Sequence, residues 1–107
     1  MIATMTRREA ITALRVALRR RSGRSWSVTG GTGTAWGWIR LSAPPSRCDE
    51  IGHMSKRDRI ELAQLLGRDT PIGRQGYSIP ASDDHWREYI ARANGLKPDK
   101  IAEDYWD

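Results

Sequence analysis

The chain has 107 residues, 38% of them hydrophobic, with one cysteine, five tryptophans and no phenylalanine. That length suits a single domain over residues 1–107 with a thin core, and the apolar fraction excludes a disordered tail. No apolar run approaches the ~20 residues of a membrane span, and a lone cysteine excludes both an internal disulfide framework and a multi-cysteine zinc site. Eighteen basic and thirteen acidic residues give a net charge of +5, and it is unevenly placed. Residues 1–25 carry seven arginines against Glu9, a net +6, whereas residues 26–107 carry eleven basic and twelve acidic residues, a net −1. The basic character belongs to the N-terminal segment, and the end of the chain (Asp99, Glu103, Asp104, Asp107) reverses its sign.

Residues 1–25 read as a basic, capped helix. Thr6-Arg-Arg-Glu9 fits a capping box, in which hydroxyl and carboxylate each satisfy a backbone donor that the helix leaves orphaned. Ile11, Leu14 and Leu18, flanked by Ala10 and Ala17, form an apolar stripe at helical spacing. Arg8, Arg15 and Arg19 fall together beside that stripe with Thr12 among them, and Gly23 supplies a C-terminal stop. A hairpin follows: Trp26–Thr29 as one strand, Gly30–Gly33 as a turn and Ala35–Ser42 as the second strand. Period-two alternation puts Trp36, Trp38 and Arg40 on one face and Ile39 and Leu41 on the other.

Pro44-Pro45 ends that strand, since proline cannot donate to a ladder, and residues 43–54 read as a loop. Ser55 caps a second helix whose Ile60, Leu62, Ala63, Leu65 and Leu66 supply apolar contacts before Gly67 stops it. Tyr77–Ile79 is a short strand, halted by Pro80. Ser82-Asp-Asp opens a third helix with its acids at the favourable end of the dipole. Trp86, Tyr89, Ile90 and Ala93 give that helix an inward face, and Gly95 closes it. Residues 96–107 form an acidic tail that Ile101, Tyr105 and Trp106 are expected to dock on the body. The order α-β-β-α-β-α predicts a small α+β domain with a short antiparallel sheet.

Two motifs invite chemistry and fail on their surroundings. Val28-Thr-Gly-Gly-Thr-Gly33 resembles the start of a dinucleotide-binding turn. That turn requires a following helix to hold the pyrophosphate, whereas a strand follows here. Cys48 and His53, with Asp49 and Glu50, suggest a metal, but one cysteine and two histidines do not make a zinc ligand set. A Cys48–His53–His85 nucleophilic arrangement exists in composition only, and the three read as surface loop residues. No catalytic residue, metal or cofactor is therefore assigned, and the chain reads as non-enzymatic.

The arginines and tryptophans carry the functional reading. Guanidinium forks match phosphate oxygens, so Arg8, Arg15, Arg19, Arg20 and Arg24 point to a nucleic-acid backbone. The competing reading is a solvated helix face in a chain that uses arginine for fifteen of its eighteen basic residues. An organellar presequence shares the composition, but the capping box and the strand that follows argue against it. Trp36 and Trp38 are either a core face or a platform on which bases stack beside Arg40.

The stretches Ile11–Arg21, Trp26-Ser-Val28, Gly33-Thr-Ala-Trp-Gly-Trp-Ile-Arg40, Ser42-Ala-Pro-Pro45, Ser78-Ile-Pro-Ala-Ser82 and Tyr105-Trp-Asp107 together resemble a group of small bacterial and phage proteins. The first half is similar to a domain associated with large polyvalent proteins of phages and conjugative elements. The resemblance implies a mobile-element setting, in which DNA handling and defence evasion are common tasks, and it transfers no catalytic residue. The expectation is a nucleic-acid-binding accessory protein, of DNA or RNA, in the bacterial cytoplasm or in that of a phage's host, with no membrane partner. The alternative is a protein-interaction module, such as a phage-encoded inhibitor or adaptor, with Tyr105 and Trp106 as anchors for an acidic or otherwise complementary partner.

Overall fold

Helix caps and strand breakers fix most element boundaries locally, and the computed structural model, which describes residues 5–31, 38–80, 82–98 and 101, shows them in use. Helix α1 spans Arg7–Ser22 and begins with the reciprocal capping box of Thr6 and Glu9. It ends on Gly23 in the left-handed region, at φ 73°, where a Cβ would be strained. Strand β1 (Ser27–Gly30) pairs antiparallel with β2 (Ile39–Ser42), which pairs antiparallel with β3 (Tyr77–Ile79), giving the sheet order β1-β2-β3. Helix α2 spans Lys56–Leu65 under the Ser55 cap, and α3 spans Asp83–Ala93 under the Ser82 cap. The order is α-β-β-α-β-α, a small α+β domain. The expected beginning of the second strand, through Trp36, lies outside the described residues, as do Tyr105 and Trp106.

One sheet face makes the core. Val28, Ile39, Leu41 and Ile79 are buried on it, against Ala10, Leu14, Ala17 and Leu18 of α1, Leu62, Ala63 and Leu65 of α2, and Tyr89 and Ala93 of α3. The other face carries the row Thr29–Arg40–Ser78, set side by side by the strand register and exposed. Helices on one side and an open polar face on the other follow from strict alternation in three short strands.

Three details depart from the sequence reading. Residues 43–54 are not an unstructured loop: Pro45–Arg47 forms a 3-10 turn, and Cys48 and Met54 form an isolated antiparallel bridge. The Ala43 amide donates to the Met54 sulfur at 3.1 Å, so this segment folds back on itself, and Pro45, Cys48 and Gly52 border a concavity with Thr29 and Arg40 of the outer sheet face. Ile60, expected to face inward, is exposed. It sits about 160° around the helix from Leu62, because Asp58 rather than Ile60 takes the inward position one turn earlier. In α3 the buried face runs through His85, Glu88, Tyr89 and Ala93, while Trp86 and Ile90 are half-buried at its margin. Burying Glu88 is tolerable because Arg92, one turn on, pairs with it at 2.9 Å. His85 is therefore a helix residue packed inside, not a surface loop residue.

Among the described residues no helix is long and apolar enough to cross a membrane. The two faces of α2 can be told apart by urea denaturation. Leu62→Ala is expected to lose about 2–5 kcal/mol of stability through a core cavity, and Ile60→Ala less than about 0.5 kcal/mol, as at an ordinary surface position.

Candidate nucleic-acid interface

The arginines of the N-terminal segment divide by what their guanidinium groups meet. Arg8 and Arg19 are exposed, and their side chains form no ion pair or hydrogen bond with another described residue. Arg15 shares their face, all three lying within about 40° of arc on the helix, and its Nη2 donates to the Val28 carbonyl at 2.8 Å. A carbonyl orients a guanidinium without cancelling its charge. These three side chains, with exposed Thr12 between them, are the basic ridge expected from the helical spacing.

Arg20 and Arg24 leave that ridge. Arg20 turns toward α3 and donates to the Asn94 side-chain oxygen. Arg24 lies beyond the helix end, half-buried, pairing with Asp58 at 2.8 Å and also with Glu61, its guanidinium 5.7 Å from the Trp26 ring centre. Glu61 and a carboxylate shared with Arg47 offset its charge, so it is withdrawn from the ridge. The pairing is tertiary: Asp58 and Glu61 lie on α2, more than thirty residues away.

Arg7 and Arg21 were not among the expected contact residues, and both have defined places. Arg7 Nη1 donates to the Gly31 carbonyl at 3.1 Å beside the edge of β1. Arg21 Nη1 lies within hydrogen-bond reach of the Leu65, Ala93 and Arg92 carbonyls at 2.7, 3.0 and 3.2 Å, joining the C-terminal ends of α2 and α3 to α1. These ends carry orphan carbonyls and partial negative charge, which a cation there satisfies. A surplus of arginine in the last turn was the only available sign of it.

Strand β1 is an edge strand, and the arginines manage that edge. Gly31 donates to the Trp38 carbonyl at 2.8 Å, so residues 31 and 38 form a hydrogen-bonded pair. By antiparallel alternation the peptide groups of Val28 and Gly30 then point away from β2. Arg15 occupies the Val28 carbonyl on that open side, which blunts the edge against pairing with another chain.

On the outer sheet face Arg40 is exposed and its Nε donates to the Gln75 carbonyl at 2.7 Å. Trp38, two residues before it, is half-buried, and Trp36 lies outside the described residues. Trp26 is a core residue: its ring is buried, its Nε1 donates to Ser22 Oγ at 2.9 Å, and Arg47 lies over it at 4.8 Å. Gly30 ends β1, and the next described element is its antiparallel partner β2, so among the described residues no helix N-terminus follows these glycines to hold a pyrophosphate.

Other polar groups are held by their surroundings. A hydrogen bond from the Thr6 backbone amide keeps the Glu9 carboxyl below its ordinary pKa. The His53 amide does the same for Asp49, whose carboxylate also accepts from the Ile51 amide. Burial pushes the Tyr89 phenol well above its ordinary value, and a 2.6 Å bond with the Tyr77 hydroxyl adds to the shift. Among the described residues no three His, Cys, Asp or Glu side chains gather in a group fit to hold a metal. Comparison with protein-family models, with curated proteins and with solved structures finds no match.

The structural role of Arg24 can be separated from any binding role. Asp58→Ala leaves Arg24 and Arg47 facing each other without their shared, buried carboxylate. It is expected to cost about 3 kcal/mol by urea denaturation, the low end for a broken buried pair because both arginines keep some access to water. A double-mutant cycle between Arg24→Ala and Asp58→Ala should show coupling above about 0.5 kcal/mol.

Proposed function

We propose that the protein is a non-enzymatic nucleic-acid-binding accessory protein that contacts phosphates through α1. The supporting observation is the contrast between arginines. Arg24, Arg47, Arg87 and Arg92 pair with carboxylates, whereas Arg8, Arg15 and Arg19 share an exposed helix face and pair with none among the described residues. Repulsion between three neighbouring cations is unfavourable for a helix standing alone, and an anionic partner relieves it. Arg40, with Trp38 two residues earlier, offers a secondary contact where bases can stack. The mobile-element setting rests on the sequence resemblance alone.

A second reading, the protein-interaction module, draws on Leu96 and Ile101, which are 64% and 60% exposed. They border a concavity that also takes in Arg21, Arg92 and Lys97. An acidic protein bearing an apolar side chain suits that surface.

Binding is expected to be measurable by fluorescence anisotropy with mixed-sequence DNA and RNA oligonucleotides at low salt. Three phosphate contacts predict a slope of log affinity on log salt of about −2 to −3. Arg8→Glu with Arg19→Glu should abolish binding without unfolding the protein, since neither side chain holds another described residue. Absent binding at low salt, or affinity unchanged in the double variant, would sink the proposal. A stoichiometric acidic protein recovered in its place would favour the second reading.

A further inference from the structure

Helix α1 buries Ala10, Leu14, Ala17 and Leu18. At 100° per residue the direction opposite that stripe falls on Thr12. Arg8 and Arg19 lie to one side of it and Val16 to the other, all four within an arc of about 80°. They form the crest of the helix and all are exposed, Val16 by 56%. Along the axis the order is Arg8, Thr12, Val16, Arg19, so an uncharged pair lies between two arginines about 16 Å apart. Arg15 flanks the crest on the side of β1, where the Val28 carbonyl holds its Nη2. Glu9, the one acid of the helix, is turned to the Thr6 amide at the N-terminal end.

Phosphate contact alone employs the arginines and leaves the middle of the crest without a use. Valine is a weaker helix former than alanine or arginine, and an exposed one adds little to the core. Thr12 and Val16, four residues apart, are surface neighbours, and together they make an apolar step between cations. The major groove of a DNA duplex has the complementary layout: phosphates along both sides, and between them the C5 methyl of every thymine. At about 12 Å wide it admits an α-helix with its side chains. Two other nucleic acids suit the crest poorly. Helix α1 has no aromatic residue on which the bases of a single strand could stack. The major groove of duplex RNA is too deep and narrow for side chains to read.

We infer that α1 enters the major groove of duplex DNA by this crest. Arg8, Arg15 and Arg19 take phosphates, and Thr12 and Val16 lie against thymine methyl groups. On the nucleic-acid reading, on which this inference rests, the arginines supply affinity. The uncharged pair supplies a preference for A·T pairs, which phosphate contacts cannot give.

Anisotropy is measured at low salt with an A·T-rich DNA duplex of about 20 base pairs, two helical turns. It is compared with the same duplex carrying uracil for thymine, with its RNA counterpart and with its single strand. Uracil removes only the methyl group from the groove. The thymine duplex is expected to bind about fourfold more tightly than the uracil duplex, as burial of one methyl group would give. It should also bind more tightly than duplex RNA or the single strand. Thr12→Ser with Val16→Ser removes the apolar pair and no charge. The thymine-to-uracil ratio should then approach one, while affinity for the uracil duplex stays within about twofold, as at exposed positions that touch no phosphate. Val16→Ala, with the better helix former, is the second variant and should lower the ratio without loss of helix. Equal wild-type affinity for the two duplexes, or a ratio that survives both variants, overturns the groove contact and leaves the nucleic-acid reading standing. Tighter binding to the single strand or to duplex RNA overturns the groove contact in the same way. If no nucleic acid binds at low salt, the nucleic-acid reading itself falls, and the groove contact with it.

Discussion

A carboxylate withdrawn from water must be met by donors that are themselves held in place, and Asp58 is met by two arginines. Arg24 arrives from beyond the end of α1 at 2.8 Å, and Arg47 from the 3-10 turn at 3.2 Å. Both guanidinium groups also lie over the buried ring of Trp26, whose indole N–H donates to Ser22. Four separate stretches meet there: the end of α1, the entry to β1, the turn after β2 and the first turn of α2. Removing any one charge would strand the others in a poorly solvated place, so the cluster specifies how these stretches sit as well as stabilising them.

That cluster also decides what the basic segment can offer a partner. By withdrawing Arg24 into an ion pair, and with Arg21 spent on helix-end carbonyls, the fold narrows a seven-arginine segment to one ridge on α1. The N-terminal half of the ridge is organised further. The Val28 carbonyl on the open edge of β1 holds Arg15 of that ridge, and the Gly31 carbonyl just beyond β1 holds the neighbouring Arg7; an arginine held in place in advance loses less side-chain entropy on binding. On the proposed reading, edge protection and anion binding would fall to the same side chain, Arg15, because a guanidinium can donate to a carbonyl and still carry its charge.

Much of the fold was legible because its signals are local. Thr6 and Glu9, Ser55 and Ser82 satisfy backbone donors within their own first turns, and Gly23 adopts a conformation other residues resist. The β3 limits, Tyr77 to Ile79, follow from alternation and a proline stop. The faces of α2 and α3 were legible only in part. A sequence pattern assigns Ile60 inward and His85 outward on polarity, whereas burial depends on what the neighbouring elements present. Asp58 can occupy the inward position because arginines from elsewhere meet it, and Glu88 because Arg92 does.

The candidate site divides in the same way. Sequence alone determined that the positive charge is concentrated in residues 1–25 and that Arg8, Arg15 and Arg19 share a helix face, since 100° per residue fixes that geometry without a partner. It determined the α+β order and the alternation that places Arg40 on the open side of the sheet. Only the tertiary structure decided which arginines remain for a ligand. Whether a guanidinium meets a carboxylate, a carbonyl or water depends on residues far away in the chain: Asp58 for Arg24, Asn94 for Arg20, Gly31 for Arg7. Gly30 shows the same dependence: a Cβ there would lie 2.7 Å from Arg7 Nη1, a constraint that arises only because α1 is laid along β1.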